Sequence, residues 1–192
     1  MPSSWRPAGA RELRVGLAGL GSMGRNHLRL LSARTDARLT AVADPVPAAL
    51  EAACAATGAQ GFAEPLAMLA EADLDAVIIA APTTSHAPLT LAAIERRIAV
   101  LVEKPLAATT DQAMRIVGEA RASGVPVQVG HVERFNPAVL ELGRLIGEGW
   151  LSTVYSIASR RAARYGRGAP PRSGAGGPPR RPARPWRLRP GS

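Results

Sequence analysis

A glycine-rich segment near the amino terminus constrains the fold of this chain most strongly. Residues 19–24, GLGSMG, match the pattern GxGxxG and lie between an apolar run, Leu13–Ala18, and a helical pattern. In a strand-turn-helix of this kind, Gly19 permits the tight turn, Gly21 lets the backbone approach a pyrophosphate, and Gly24 allows close helix packing. The phosphates then meet free amides and the positive end of the helix dipole. The segment predicts a dinucleotide-binding unit, although glycine-rich turns also occur in other α/β proteins.

Short apolar runs alternate with helical patterns along the rest of the body, which is typical of a parallel sheet with crossover helices. After the first strand, the runs predict strands at residues 39–43, 60–62, 76–80, 98–102 and 125–130. The patterns between them predict helices from about residue 22 and at 47–57, 65–70, 86–97, 109–123 and 137–146. Thr109 and Gln112 match a capping box. We therefore predict a doubly wound α/β domain over residues 13–150, followed at 151–159 by the first strand of a second, α+β domain.

The charge of the chain is concentrated at one end. Ten of the 24 basic residues are arginines within residues 160–192, a segment without acidic residues, which leaves 14 basic and all 15 acidic side chains for residues 1–159. This tail is rich in Pro and Gly and lacks the apolar residues that would offset its ordering entropy. We expect disorder in residues 1–12 and 160–192.

Two interpretations of the tail go beyond disorder. An arginine-rich segment can bind nucleic acid through counterion release, but the body offers no supporting surface for such a partner. Alternatively, the residues from about Arg160 onward come from a shifted reading frame in a GC-rich gene, since Arg, Pro, Gly and Ala all have GC-rich codons. We favour the second interpretation.

Several protein classes are excluded by composition. The single cysteine, Cys54, excludes an internal disulfide and a cysteine-based zinc site, and it favours a cytoplasmic protein. No run approaches the ~20 apolar residues of a membrane span. The amino terminus lacks the apolar core of a secretory signal. The three histidines do not have a metal-ligand spacing, so we expect no metal.

Asp44 strengthens the dinucleotide interpretation. It follows the second predicted strand, 20 residues after Gly24, where a carboxylate can accept hydrogen bonds from the adenosine ribose hydroxyls. The same charge repels a 2′-phosphate, and Pro45 supplies no compensating cation. NAD is therefore favoured over NADP. The alternative is that Asp44 only opens a turn before Pro45 and caps the next helix.

A second candidate constellation is Glu103-Lys104-Pro105, directly after the predicted strand 98–102. Lys104 is the only lysine among the 24 basic residues of the chain. An ammonium suits proton transfer or the polarisation of a substrate oxygen, whereas a guanidinium would stay charged. Pro105 holds Lys104 extended at the carboxyl end of its strand, where ligands bind in open α/β sheets. The alternative is an exposed lysine in a loop.

The histidines leave alternatives open. His27 lies on the apolar face of its predicted helix, which favours a packed, hydrogen-bonded side chain. His86 follows the strand 76–80 within APTTSH, where it either faces a nicotinamide or caps a helix. His131 follows the sixth predicted strand and is a candidate pocket residue.

These motifs, GLGSMGRNH, the Asp44 strand end, APTTSH, EKPLA and VGHVERFNP, occur in an order that resembles the Gfo/Idh/MocA family of NAD(P)-dependent sugar and inositol dehydrogenases. The resemblance runs from about residue 13 to 159 and implies a Rossmann cofactor domain. It implies that Lys104 is catalytic and acts on a secondary hydroxyl of a sugar, nucleotide sugar or inositol, while hydride passes to the nicotinamide. It also implies homo-oligomers and the following cofactor-binding residues: Gly19, Gly21, Ser22, Met23, Gly24, Asp44, Pro82, Thr83, His86, Glu103 and Lys104.

The carboxyl-terminal part departs from this family. Its members continue into a mostly antiparallel substrate domain, which supplies a histidine and an aspartate to partner the lysine. In this sequence the pattern stops after one strand, and no histidine follows His131. Two functions stay open at this point: an NAD-dependent oxidoreductase, and a non-catalytic NAD-binding module that lacks its substrate domain.

Overall fold

A computed structural model describes residues 12–150 and Ser156. Within them the chain alternates strands and helices: β1 Leu13–Ala18, α1 Ser22–Leu31, β2 Ala37–Ala43, α2 Pro47–Thr57, β3 Gln60–Phe62, α3 Pro65–Glu71, β4 Ala76–Ile79, α4 Thr83–Glu95, β5 Ala99–Val102, α5 Thr110–Ser123, β6 Val127–Val129, a 3₁₀ turn Val132–Phe135 and α6 Pro137–Gly147. The predictions of a disordered amino terminus, a strand at 153–157 that opens a second domain, and a disordered tail lie outside the described residues, apart from Glu12 and Ser156.

The six strands form one parallel sheet in the order β3-β2-β1-β4-β5-β6. The chain starts at the centre, winds outward to β3, and crosses back to β4 on the other side of β1. This confirms the predicted doubly wound α/β fold, whose strand order reverses between β1 and β4. The carboxyl ends of these two strands therefore flank a crevice in which such sheets bind ligands.

Each face of the sheet has its own core. Leu17 and Ile78 belong to the core beneath α1 and α2, whereas Val77 and Ile79 belong to the core beneath α3 and α4. Consecutive residues of β4 thus point to opposite faces, and both faces are apolar at this strand. Burial on both faces explains why the uniformly apolar run AVII predicts a central strand.

Several local predictions differ from the structure. Strand β6 begins at Val127, two residues later than predicted, and ends one residue earlier, at Val129. Helix α4 begins at Thr83, three residues earlier than predicted, because Pro82 forms the N-cap and its carbonyl accepts the Ser85 amide at 2.8 Å. Strand β2 begins at Ala37, since it pairs with β1 from its first residue. The capping box is half formed: Thr109 Oγ1 accepts from the Gln112 amide at 3.3 Å, but Gln112 Oε1 makes no hydrogen bond.

Apolar surface is exposed on α6 and beside it. Val139, Leu140 and Ile146 of α6 are 46%, 57% and 41% exposed, and α6 has no buried residue. Phe135, in the preceding 3₁₀ turn, is 68% exposed. Within residues 12–150, α6 thus presents several large apolar side chains to solvent.

Three further features concern the described part of the chain. None of its helices has both the length and the apolar composition needed to cross a bilayer. Residues 12–150 also contain no group of three or more His, Cys, Asp or Glu side chains suited to a metal ion. Cys54 is a free thiol and is half-buried on α2.

Candidate cofactor and active site

The three glycines of the loop after β1 differ in whether the fold could accommodate a side chain at their positions. Gly19 has φ of +95°, and a Cβ there would lie 2.6 Å from the Ala80 carbonyl oxygen at the end of β4. A Cβ on Gly24 would overlap the Gly19 carbonyl oxygen, so α1 can approach the loop only without a side chain there. A Cβ on Gly21 would meet nothing within 4 Å. The fold thus requires Gly19 and Gly24, whereas Gly21 leaves open space.

The amino terminus of α1 is suited to an anion. Gly21 is its N-cap and provides no side chain to the free amides, and the first turn holds no acidic residue. The first amides of a helix lack partners within the helix, and the helix dipole places partial positive charge there. These amides and the empty Cβ position of Gly21 fit the pyrophosphate of a dinucleotide.

A crevice of about 620 Å³ extends from this helix terminus between the carboxyl ends of β1, β2 and β4. It brings together most of the residues predicted to bind the cofactor: Gly19, Gly21, Ser22, Met23, Asp44 and Pro82. The other five, Gly24, Thr83, His86, Glu103 and Lys104, do not line it. Its described lining contains no lysine or arginine, so no cation there would balance a 2′-phosphate.

Asp44 is 9% exposed and joins two segments. Its Oδ2 accepts a hydrogen bond of 2.6 Å from the Leu20 amide, and its Oδ1 accepts one of 2.9 Å from the Val46 amide. The second of these bonds forms the turn that the alternative interpretation predicts, but Asp44 does not cap α2, whose N-cap is Val46. It also holds the glycine loop in place. Each carboxylate oxygen can accept a second hydrogen bond, which leaves capacity for a ribose hydroxyl.

His86 links the end of β4 to the segment after Lys104. It is 1% exposed, with Nδ1 2.7 Å from the Pro105 carbonyl oxygen and Nε2 2.9 Å from the Ala81 carbonyl oxygen. It lies inside α4, whose N-cap is Pro82, so the prediction that His86 caps this helix is wrong. Because both ring nitrogens face backbone carbonyls, the ring fixes the two loops relative to each other.

Lys104 follows β5 as predicted and is exposed, and its peptide bond to Pro105 is cis. It lines a recess of about 380 Å³ together with His131 and Arg134, beyond the carboxyl end of β6. None of the ion pairs between described residues includes Lys104. The amine is thus available to a ligand in this recess.

Glu103 is 7% exposed and contacts three segments. Its Oε1 lies 2.8 Å from His27 Nε2, and its Oε2 accepts from the Lys104 amide at 3.3 Å. A Cβ on Gly130 would lie 3.1 Å from the same Oε2, so the glycine leaves room for the carboxylate. The sequence predicts a hydrogen-bonded His27 but not its partner, because 76 residues separate the two.

Comparison with known proteins decides the family. The model of an oxidoreductase family with an NAD-binding Rossmann fold, Gfo/Idh/MocA, matches residues 13–131. The chain belongs to the Gfo/Idh/MocA oxidoreductase family. This confirms the resemblance seen in the sequence motifs, including the NAD-binding Rossmann domain that it implies.

Curated members of the Gfo/Idh/MocA family extend beyond this chain. Inositol 2-dehydrogenase 4 of Saccharopolyspora erythraea is 44% identical over 144 residues, which cover 73% of this chain and 43% of the relative. Inositol 2-dehydrogenase of Mycolicibacterium smegmatis is 38% identical over 141 residues, covering 72% of this chain and 41% of the relative. The chain therefore spans less than half the length of these relatives.

Solved structures with ligands agree with the fold. The WlbA dehydrogenase from Bordetella pertussis, in complex with NADH and UDP-GlcNAcA, superposes with a TM-score of 0.69 at 31% identity, covering 72% of this chain and 43% of that one. The scyllo-inositol dehydrogenase from Lactobacillus casei, with bound NAD(H) and scyllo-inositol, superposes with a TM-score of 0.70 at 25% identity. The match covers 73% of this chain and 42% of that one.

Proposed function

We propose that this chain binds NAD and forms the cofactor-binding part of a dehydrogenase that oxidises a secondary hydroxyl of a polyol or sugar, such as an inositol. The observation that carries the proposal is the open crevice at the β1/β4 reversal, where Gly21 leaves space at the amino terminus of α1. The inositol dehydrogenases among the relatives support the substrate class.

Different residues of the crevice would bind different parts of the cofactor. The amides at the start of α1, including those of Ser22 and Met23, would bind the pyrophosphate. Asp44 would accept hydrogen bonds from the ribose hydroxyls. Since the described lining of the crevice has no cation beside this carboxylate, we propose NAD rather than NADP.

The reactive end would lie toward the carboxyl ends of β5 and β6, beside Glu103 and Lys104. The bound nicotinamide supplies the acceptor for the hydride that leaves the carbinol carbon. Oxidation of that carbon also releases the hydroxyl proton. Lys104 lines the recess, where its Nζ would accept this proton as a neutral amine or polarise the oxygen as an ammonium. His131 and Arg134 line the same recess and can orient substrate hydroxyls.

Binding is tested first, by titrating the 192-residue protein with NAD and with NADP in an isothermal titration calorimeter. Gly21→Val is expected to raise the Kd for NAD about 10- to 100-fold, since a side chain in an occupied space costs about 1–3 kcal/mol. Gly118→Val is the matched control, because Gly118 likewise has no atom within 4 Å of its Cβ position and no positive φ. Tight NAD binding by Gly21→Val would contradict the proposed pyrophosphate site.

Turnover is a separate test because this chain spans less than half of its relatives' length. NADH formation is followed with myo-inositol, scyllo-inositol and a nucleotide-linked uronic acid, for the protein and for Lys104→Met. Substrate-dependent NADH formation that Lys104→Met abolishes would support a dehydrogenase. NAD binding without NADH formation from any of these would support the binding-module alternative.

A further inference from the structure

The His27–Glu103 pair connects two sites that the proposed function treats separately. His27 lies on α1, whose amino terminus faces the crevice, and Glu103 immediately precedes Lys104. The side chains are 15% and 9% exposed, and the Nε2–Oε1 distance is 2.8 Å. Because a carboxylate only accepts, His27 Nε2–H donates this bond. A polar contact this enclosed has a defined geometry, since either partner would lose its hydrogen bond by moving.

Glu103 in turn has little freedom to move. Its own amide donates to the Ile79 carbonyl at 2.9 Å, and its Oε2 accepts from the Lys104 amide. Gly130, directly after β6, lies beside the carboxylate, and a Cβ there would be 3.1 Å from Oε2. The direction of the Glu103 side chain therefore determines where the Lys104 peptide lies, and His27 holds the oxygen that the Lys104 peptide does not use.

We propose that His27 is a positioning residue for Lys104. Its hydrogen bond fixes the Glu103 carboxylate, and that carboxylate fixes the backbone from which the Lys104 amine projects into the recess. The same contact joins the phosphate-binding end of α1 to the substrate side, so that cofactor binding and lysine placement depend on each other; this second statement rests on the proposed function. The dependence is reciprocal, because a coupling free energy between two sites acts in both directions.

The single lysine makes the proposal directly measurable. Protein grown with ¹³C-labelled lysine gives the NMR signal of Lys104 alone, since the chain has no other lysine. The tested pair is His27→Gln and His27→Asn. The Gln amide nitrogen reaches about as far as Nε2 and can donate to Glu103, whereas the Asn amide is too short. Arg29→Gln and Arg29→Asn place the same two residues at an exposed position of α1 and control for their helix propensities.

Without cofactor, we expect the Lys104 signal to move in His27→Asn, to stay near its wild-type position in His27→Gln, and to be unchanged in both Arg29 variants. Circular dichroism verifies that each protein is folded. If His27→Asn unfolds, Gly130→Ala is tested in its place. Its added methyl group would lie against the Glu103 carboxylate and is expected to move the Lys104 signal. A wild-type Lys104 signal in folded His27→Asn, or in Gly130→Ala where that replaces it, would overturn the proposal.

With NAD, the wild-type Lys104 signal is expected to shift, and His27→Asn to lose at least half of that shift and to bind NAD about fivefold more weakly, at the lower end of typical coupling. An unchanged shift and Kd would overturn the coupling between the sites. A wild-type protein that binds no NAD would instead overturn the proposed function, while the cofactor-free spectra still decide whether His27 positions Lys104.

Discussion

The Asp44 carboxylate accepts a hydrogen bond of 2.6 Å from the Leu20 amide, which ties the end of β2 to the glycine loop after β1. The residue proposed to select the cofactor thus also shapes the loop that would bind its phosphates. A substitution at Asp44 is expected to change both properties, and the two effects can be measured separately.

Asp44→Asn is expected to raise the NADP-to-NAD affinity ratio about tenfold or more. Removing a unit charge ~4 Å from a phosphate relieves up to about 4 kcal/mol of repulsion at an intermediate dielectric. The free energy of unfolding should fall by about 1–3 kcal/mol, because an amide nitrogen would then face one of the two backbone donors. Parallel titrations and urea unfolding measure the two effects. Asp111→Asn, at the first turn of α5, is the control; an unaltered cofactor ratio in Asp44→Asn would argue against the ribose role.

Substitutions at Gly19 and at Gly21 are expected to lower the free energy of unfolding by different amounts. Gly19→Ala is expected to destabilise the protein by about 2–4 kcal/mol, since it combines a left-handed residue with a close contact to Ala80. Gly21→Ala should change stability by less than about 1 kcal/mol, the size of an N-cap effect. Urea unfolding of the two variants tests this, and equal destabilisation would show that Gly21 is also required by the fold.

His86→Leu is expected to destabilise the protein by about 1–3 kcal/mol. The ring nitrogens face the carbonyl oxygens of Ala81 and Pro105, and since a neutral imidazole has one N–H, the substitution leaves one of these partly buried acceptors without its donor. His131→Leu makes the same change at an exposed position and should alter stability by less than about 0.5 kcal/mol. If chemical denaturation finds the two variants equally stable, the His86 contacts do not support the fold.

The exposed side of α6 should limit solubility. Leu140→Lys removes a large apolar side chain that is 57% exposed, and is expected to raise the concentration at which light scattering detects association. Ala138→Lys adds the same charge to α6 without removing such a side chain. If solubility rises equally in Leu140→Lys and Ala138→Lys, the added charge alone explains the change, and the exposed apolar side chain does not limit solubility.

The fold could be predicted largely from local patterns. The apolar run of β4 and the glycine spacing after β1 each depend on a few adjacent residues, so their structural meaning is visible in the sequence. The ends of helices and strands were harder to predict where a single residue decides them. With Pro82 as its N-cap, α4 begins three residues earlier than the apolar pattern indicates.

The site was predictable to the extent that it lies at strand ends. Asp44 follows β2 directly and Lys104 lies two residues after β5, and parallel strands bring their carboxyl ends to one edge of the sheet. The partner of His27 was not predictable, because it depends on how α1 crosses the sheet and not on any spacing along the chain. For the same reason, the two carbonyl contacts of His86 could not be inferred from APTTSH.

The unequal roles of the loop glycines bear on how related sequences are compared. Gly19 and Gly24 are needed for β1, β4 and α1 to meet as they do, so a sequence that keeps both still meets this requirement of the architecture. Of the three, only Gly21 has no atom of the described residues within 4 Å of its Cβ position. A family member in which that position alone carries a bulky residue is therefore expected to keep the fold while losing the nucleotide, and an overall match to the motif would not reveal the difference.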